Sequence, residues 1–315
     1  MATTTSITTT YAGEFAGKYI SAALLSGDTL NRGNIEIKPN VKFKEVIKKV
    51  ATDSNVIKDA TCDFTDTATI TLAERVLQPE EFQVNLELCK KDFRSDWEAI
   101  QMGYSAYDNL PPKFSDFLIG HVAAKVAQKT EQNIWGGVNG NAGEFDGFTV
   151  SMAADSDVND AANGSETSFT SSNIVTLLSN VVDAIPNAVY GKEDLKIYVP
   201  PVAYQAYIRH LGGYGANGLG AAGYRAEGNQ WYNNNASLSF EGIEVLYTPG
   251  MPSDHIVAGQ KSNLYFGTGL ISDHNEVKVI DMADLDGSQN VRVVMRFTAG
   301  VQYGIGSDLV LLTLA

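Results

Sequence analysis

With 315 residues, 44% of them hydrophobic and 10% aromatic, the chain carries enough apolar surface to order itself as one large domain or two smaller ones, which excludes bulk disorder. No apolar run approaches the ~20 residues of a membrane-spanning helix, and the opening MATTTSITTT lacks the basic and apolar regions of a secretory signal, so an intracellular protein without a membrane span is expected. The formal charge of -14 opposes binding to nucleic acid for affinity, and two cysteines, Cys62 and Cys89, are too few for a disulfide framework or a four-thiolate zinc site.

The charge is uneven. Residues 1 to 60 hold eight basic and six acidic groups, a net of +2, and the remainder holds 15 basic and 31 acidic groups, a net of -16. The first ten residues, rich in Thr, read as a frayed end. A short amphipathic helix is predicted from Ala12 to Leu25, stopped by Ser26 and Gly27. From Ile35 to Asp53 apolar and charged residues alternate, with Ile35, Ile37, Val41 and Phe43 on one side of an extended chain. Pro39 removes a ladder donor, so this basic segment is expected at a sheet edge or as an arm. TATITLAERV (67–76) and EFQVNLELC (81–89) alternate as well, and read as paired or sequential antiparallel strands around Leu77, Gln78, Pro79 and Glu80. With residues 55–66 in front they predict a long projecting hairpin or loop. A lone two-stranded hairpin is marginal in water, so one face needs a partner, which a neighbouring subunit could supply.

The strongest helix signal is PPKFSDFLIGHVAAKVAQKTEQNIW, closed by Gly136 and Gly137. Phe114, Phe117, Leu118, Val122, Val126 and Ile134 recur at spacings of three and four, with charged and amide groups on the other side. GGVNGNAGEFDGF follows, and then a polar stretch from Ser151 to Ser172 that reads as a loop. A second helix is predicted from Ile174 to about Val189, capped by Ser172 or Asn173. The strand LKIYV (195–199) ends at Pro200 and Pro201, and a third helix, VAYQAYIRHL, ends at Gly212. Residues 213–235, rich in Gly, Asn and Tyr, form the longest irregular region, a length that in compact domains is usually functional or mobile. The rest reads as strand: GIEVLYT, HIVAG, NLYFGT, VKVI, NVRVVMRFTAGVQYG and DLVLLTL.

The search for chemistry is largely negative. Gly213, Gly215 and Gly218 satisfy G-x-G-x-x-G, but a dinucleotide site needs a strand before the glycines and a helix after them, and here a helix precedes and more glycine follows. DMADLDG (281–287) is a poor calcium loop, with Met282 at its first liganding position and Val293 at its last. His121, His210, His255 and His274 are scattered without metal-ligand spacing. No nucleophile elbow or Walker lysine is present, and Glu80 and Glu81 point to opposite faces of a strand. No catalytic, cofactor-binding or metal residue is assigned.

The order of the elements says more than any motif. A basic arm leads to a β-rich loop, TITLAERVLQPEEFQVNLELCKKDF, then to the long helix flowing into GGVNGNAGEFDGF, then to an α/β region and late strands that include VLYTPGMPSDHIVAGQKSNLYFG. This order resembles the major capsid proteins of tailed bacteriophages, the HK97-like shell fold, over nearly the whole chain.

The resemblance implies an α+β subunit of five parts. Residues 1–40 are an N-terminal arm over the neighbours, and 41–88 an extended loop with flanking strands that lies across the adjacent subunit. Residues 89–171 are a peripheral domain with a spine helix at 113–135, residues 172–270 an axial domain, and 271–315 C-terminal strands returning to both domains. The glycine-rich stretch 212–235 is the candidate for the axial tip or a loop beside it. It implies a non-enzymatic shell protein that assembles with itself into hexamers and pentamers. The shell encloses DNA without sequence-specific binding, holds a portal protein, and forms the virion capsid, assembled in the host cytoplasm. An arm of about 40 residues leaves no room for a scaffolding region, so the scaffold is expected as a separate protein. Lys58 lies where some relatives crosslink, but no acid and asparagine partners are identifiable, and crosslinking is not expected. The alternatives are an encapsulin-type compartment shell and, more remotely, a nucleotide-dependent enzyme.

Overall fold

A computed structural model describes residues 28–52, 57, 59–60, 62, 68–89, 112–211, 238–269, 278–283 and 287–315. The predicted helix at 12–25 and the glycine-rich stretch 213–235 lie outside the described residues. In chain order the described elements are helix α1 (Asp28–Asn31), strands β1 (Glu36–Lys38), β2 (Glu45–Thr52), β3 (Ile70–Leu77) and β4 (Glu80–Cys89), the long helix α2 (Pro112–Gly136), α3 (Phe148–Ala153), β5 (Asn159–Asp160), α4 (Ile174–Asp183), β6 (Leu195–Val199), α5 (Pro201–Leu211), and strands β7 (Leu238–Phe240), β8 (Ile243–Tyr247), β9 (His255–Gln260), β10 (Leu264–Gly267), β11 (Lys278–Asp281), β12 (Asn290–Tyr303) and β13 (Val310–Thr313). Among the described residues no helix is long and apolar enough to cross a membrane.

A six-stranded sheet in the order β5-β13-β9-β6-β8-β7 is buried on both faces. Alternation along its strands sends side chains to two cores. Ile197 and Val199 of β6, Ile256 and Ala258 of β9 and Val310 and Leu312 of β13 join one core, which α4 covers with Ile174, Leu177, Leu178, Val181 and Val182. The intervening Tyr198, Val257 and Leu311 join the other core, with Trp135 at the end of α2 and Phe148 of α3. α4 stops at Asp183, short of the predicted Val189, because Pro186 restrains the residue before it and cannot donate to a helix ladder. Ile185 and Val189 still reach the core through a turn in which the Val189 N–H donates to the Pro186 carbonyl at 2.9 Å.

The second sheet is organised by β12, a strand of 14 residues. It pairs antiparallel with β4 from Asn290↔Cys89 to Ala299↔Glu80, with β11 and, nearer its end, with β10. β1 lies parallel to β10 at the sheet edge, where Pro39 ends it. Of the two arrangements open for the β-rich stretch, the sequential one holds. β3 pairs with β2, from Glu45↔Leu77 to Thr52↔Ile70, and passes into β4 through Gln78 and Pro79. A tight hairpin at that point needs residues suited to positive φ, and Leu-Gln-Pro-Glu offers none. Four described elements were not expected from the sequence: α1, just past the predicted stop at Ser26 and Gly27; α3, which straddles the end of GGVNGNAGEFDGF and the start of the polar stretch; the two-residue β5 inside that stretch; and β7, ahead of GIEVLYT.

Candidate assembly surface

The β2–β3 hairpin has two unlike faces. On one, Val46, Lys48 and Val50 lie opposite Val76, Glu74 and Leu72, with Ile70 next to them. Val50 is 64% exposed, Ile70 67% and Leu72 78%, and Phe43, just before β2, is 70% exposed. Scattered apolar surface residues need no explanation, but a strip of them along one face of a two-stranded ribbon is a candidate contact surface. The opposite charges of Lys48 and Glu74 sit between the Val46–Val76 and Val50–Leu72 pairs and favour this register.

The other face carries half-buried Ile47 and Arg75 and turns toward the body at its root. Leu77 is fully buried against Gly267, where a Cβ would stand 2.9 Å from its Cδ2 atom. Gln302 Nε2 donates to the Val76 carbonyl at 3.2 Å, Lys38 pairs with Glu45, and Arg75 pairs with Asp155.

The end of α2 ties the segment around Thr29 and the glycine-rich loop after Gly136 to the body. Glu131, 1% exposed, accepts the Thr29 N–H at 3.2 Å and the Thr29 hydroxyl, and Trp135 Nε1 donates to that hydroxyl at 3.0 Å. The turn at Gly250 packs directly on this helix, since a Cβ there would lie 2.2 Å from the Glu131 carbonyl oxygen. In the loop, Glu144 accepts from Lys129, from Asn141 Nδ2 at 3.0 Å and from the Val138 N–H at 3.1 Å. The Lys129 bond, followed by the Asn141 and Val138 bonds, lowers its pKa to about 2. Gly137 must be glycine, because a Cβ would stand 2.4 Å from the Phe145 carbonyl oxygen.

Between α2 and the β4–β12 pair runs a groove of about 460 Å³, lined chiefly by Phe82, Val84, Leu86, Val122, Val126 and Phe297. Among the described residues, the chemistry-bearing side chains singled out in the sequence have separate partners. His210 Nδ1 is 2.7 Å from the Ser171 carbonyl oxygen and His255 Nδ1 is 2.7 Å from Asp254. His121 is half-buried on α2, Glu80 accepts from Asn139 Nδ2 at 2.7 Å, and Cys62 is exposed while Cys89 is half-buried. Gly213, Gly215, Gly218, Lys58, His274 and residues 284–286 lie outside the described residues. Among those described, no three His, Cys, Asp or Glu side chains gather as a metal-ligand set.

Comparison with protein families and with curated proteins finds no match, whereas solved structures match over almost the full chain. A structure from Gordonia phage Cozz aligns over 96% of this chain and 91% of its own at 13% identity, with a TM-score of 0.61. The capsid of a native GTA particle aligns over 94% and 93% at 13% identity, TM-score 0.60, and the capsid of Myoviridae Phage XM1 over 94% and 95% at 12% identity, TM-score 0.58. At such identities what is shared is the architecture, and it is shared from one end of the chain to the other: this chain has the mixed α+β fold of phage capsid subunits, as the order of its elements led one to expect.

Proposed function

We propose that the chain is the major capsid protein of a tailed bacteriophage, a non-enzymatic subunit that assembles into hexamers and pentamers of an icosahedral head around the DNA genome. The observation that carries this reading is the whole-chain agreement in fold with phage capsid subunits. The hairpin supports it, because its apolar strip faces solvent in the isolated subunit, and a second copy lying against it supplies the cover that a lone ribbon lacks. Contacts of this kind are heterologous and close into rings. Many modest contacts then add through multivalency without one tight interface.

In this reading residues 1–40 form the arm, 41–88 the extended loop with its hairpin, 89–171 the peripheral domain around the spine helix, 172–270 the axial domain, and 271–315 the strands returning to both. The capsid incorporates a portal protein, is built with a separate scaffolding protein in the host cytoplasm, and ends as part of the virion. An acidic body gives packaged DNA little to adhere to. Electron microscopy of the protein purified from its host, with nuclease treatment, tests the proposal. Closed shells that protect DNA are expected. Shells filled with protein cargo would establish a compartment of the encapsulin type, and a stable monomer that binds a nucleotide would overturn both.

A further inference from the structure

Three separate stretches of chain meet beside the root of the hairpin. Arg75 comes from β3, Asp155 and Asp157 from the turn after α3, and Tyr303 from the end of β12. The Arg75 guanidinium lies 4.5 Å from the centre of the Tyr303 ring and donates to Asp155 Oδ2, and Asp157 Oδ2 is 3.9 Å away. The Tyr303 hydroxyl donates to the same Asp155 oxygen at 2.8 Å, and the Asp157 N–H donates to Asp155 Oδ1 at 3.0 Å. The body therefore holds both carboxylate oxygens in place before the hairpin contributes anything, and Arg75 is the hairpin's member of the cluster.

Two further observations make this a designed fit. The Arg75 and Asp155 side chains are only 26% and 18% exposed, so their charge-assisted hydrogen bond is screened less than a surface pair. Gly306 leaves the room that the cluster occupies, since a Cβ there would stand 3.0 Å from Asp155 Oδ2 and 3.2 Å from Arg75 Nη2. Arg75 also lies two residues, or about 7 Å along a strand, beyond Leu77, which is buried at the root beside the Gln302–Val76 and Lys38–Glu45 contacts. Contacts gathered at the root alone let a ribbon swing. A second tie further out fixes its angle, and a planar guanidinium that both stacks and donates is directional in a way that an ammonium is not.

We propose that Arg75 is the positioning residue that sets the angle of the β2–β3 hairpin to the body, acting through Asp155 and Tyr303, and that this angle decides whether a second copy is engaged in a closed shell. The consequence for assembly rests on the capsid reading; the fixing of the angle does not. The test compares amide hydrogen exchange and electron microscopy of the full-length protein with its Arg75→Ala and Asp155→Asn variants. Exchange in 45–52 and 70–77 is expected to accelerate about 10-fold, the order of one charge-assisted bond, while β6, β9 and β13 keep their protection. The double variant should be no faster than Arg75→Ala alone, because Arg75→Ala already removes the bond to Asp155. The variants should yield open or irregular assemblies where the unaltered protein closes. Unchanged hairpin exchange in Arg75→Ala overturns the proposal, as does faster exchange accompanied by ordinary closed shells. If the unaltered protein forms no shells, the capsid reading fails and the exchange comparison still decides the role of Arg75. Should Arg75→Ala fail to fold, Asp155→Asn, which keeps the shape and removes the charge, gives the same comparison.

Discussion

Glu144 shows how a single carboxylate closes a loop. Its three donors come from α2, from the residue after the Gly136–Gly137 break and from Asn141, so ionised Glu144 pins the glycine-rich loop across the end of the helix. Its pKa lies at about 2 in the folded chain against an ordinary 4.5. A depressed folded pKa means that the stabilisation is complete above pH 4.5 and is lost as the pH falls toward 2. The Lys129 side chain is 50% exposed, so solvent screening holds the worth of the cluster to about 1 kcal/mol. Urea unfolding of the protein and its Glu144→Gln variant at several pH values should show that difference at pH 7, a smaller one at pH 4, and convergence near pH 2. A gap that persists unchanged at low pH contradicts the assignment. The glycine-rich loop itself was legible in the sequence, but the role of Glu144 was not, because the Lys129 and Glu144 side chains meet only once the chain has turned. Glu131 misled for a related reason. Helical periodicity places charged groups on the solvent side of α2, yet Glu131 is buried because Thr29, remote in sequence, brings both of its donors to it.

Among the elements, the long helix and the late strands could be read directly, since each is a long run with one clear period and strong stops at Pro or Gly. A projecting ribbon that needs a partner was legible, but it was placed at residues 55–89 with its pairing left open, whereas the ribbon that forms joins β2 to β3. β2, β3 and β4 all alternate, so periodicity cannot say which two form the ribbon. The long complement of β4 in β12, about 200 residues away, decides it. α3 was missed because its six residues, FTVSMA, are too few to show a helical period, and it is held instead by Phe148 and Met152 in the core. If the apolar strip of the hairpin is an intersubunit contact, a charge placed there has opposite effects on subunit and assembly. Leu72→Asp, at a position 78% exposed, should change the unfolding free energy of the isolated subunit by less than about 0.5 kcal/mol. The same change should prevent the formation of large particles, as read by sedimentation velocity. Loss of subunit stability would mean that the strip is packed against its own chain, and unimpaired assembly would mean that the contact lies elsewhere.

For the whole molecule, the net charge of -14 divides into +2 over residues 1–60 and -16 over the rest, and the structure gives part of that division a place. Lys42, Lys44 and Lys48 are exposed at the entry to the hairpin and along it, on the same projecting element as the apolar strip. These lysines lie beside the apolar strip, on an element that also carries Glu45 and Glu74, and in the capsid reading they meet the acidic excess of a second copy. Such an arrangement steers approach and register more than it adds final affinity. It also acts over a distance set by the ionic atmosphere, about 10 Å at 0.1 M salt and about 3 Å at 1 M. Assembly followed by light scattering should therefore slow on the order of tenfold between these salt concentrations, with the thermal midpoint of the isolated subunit little changed. Lys42→Glu combined with Lys44→Glu should slow assembly at low salt and flatten the salt dependence, since the variant has less attraction left to screen. An assembly rate that rises with salt in the unaltered protein would instead assign recognition to the apolar strip, because excluded salts strengthen apolar contacts while screening charged ones.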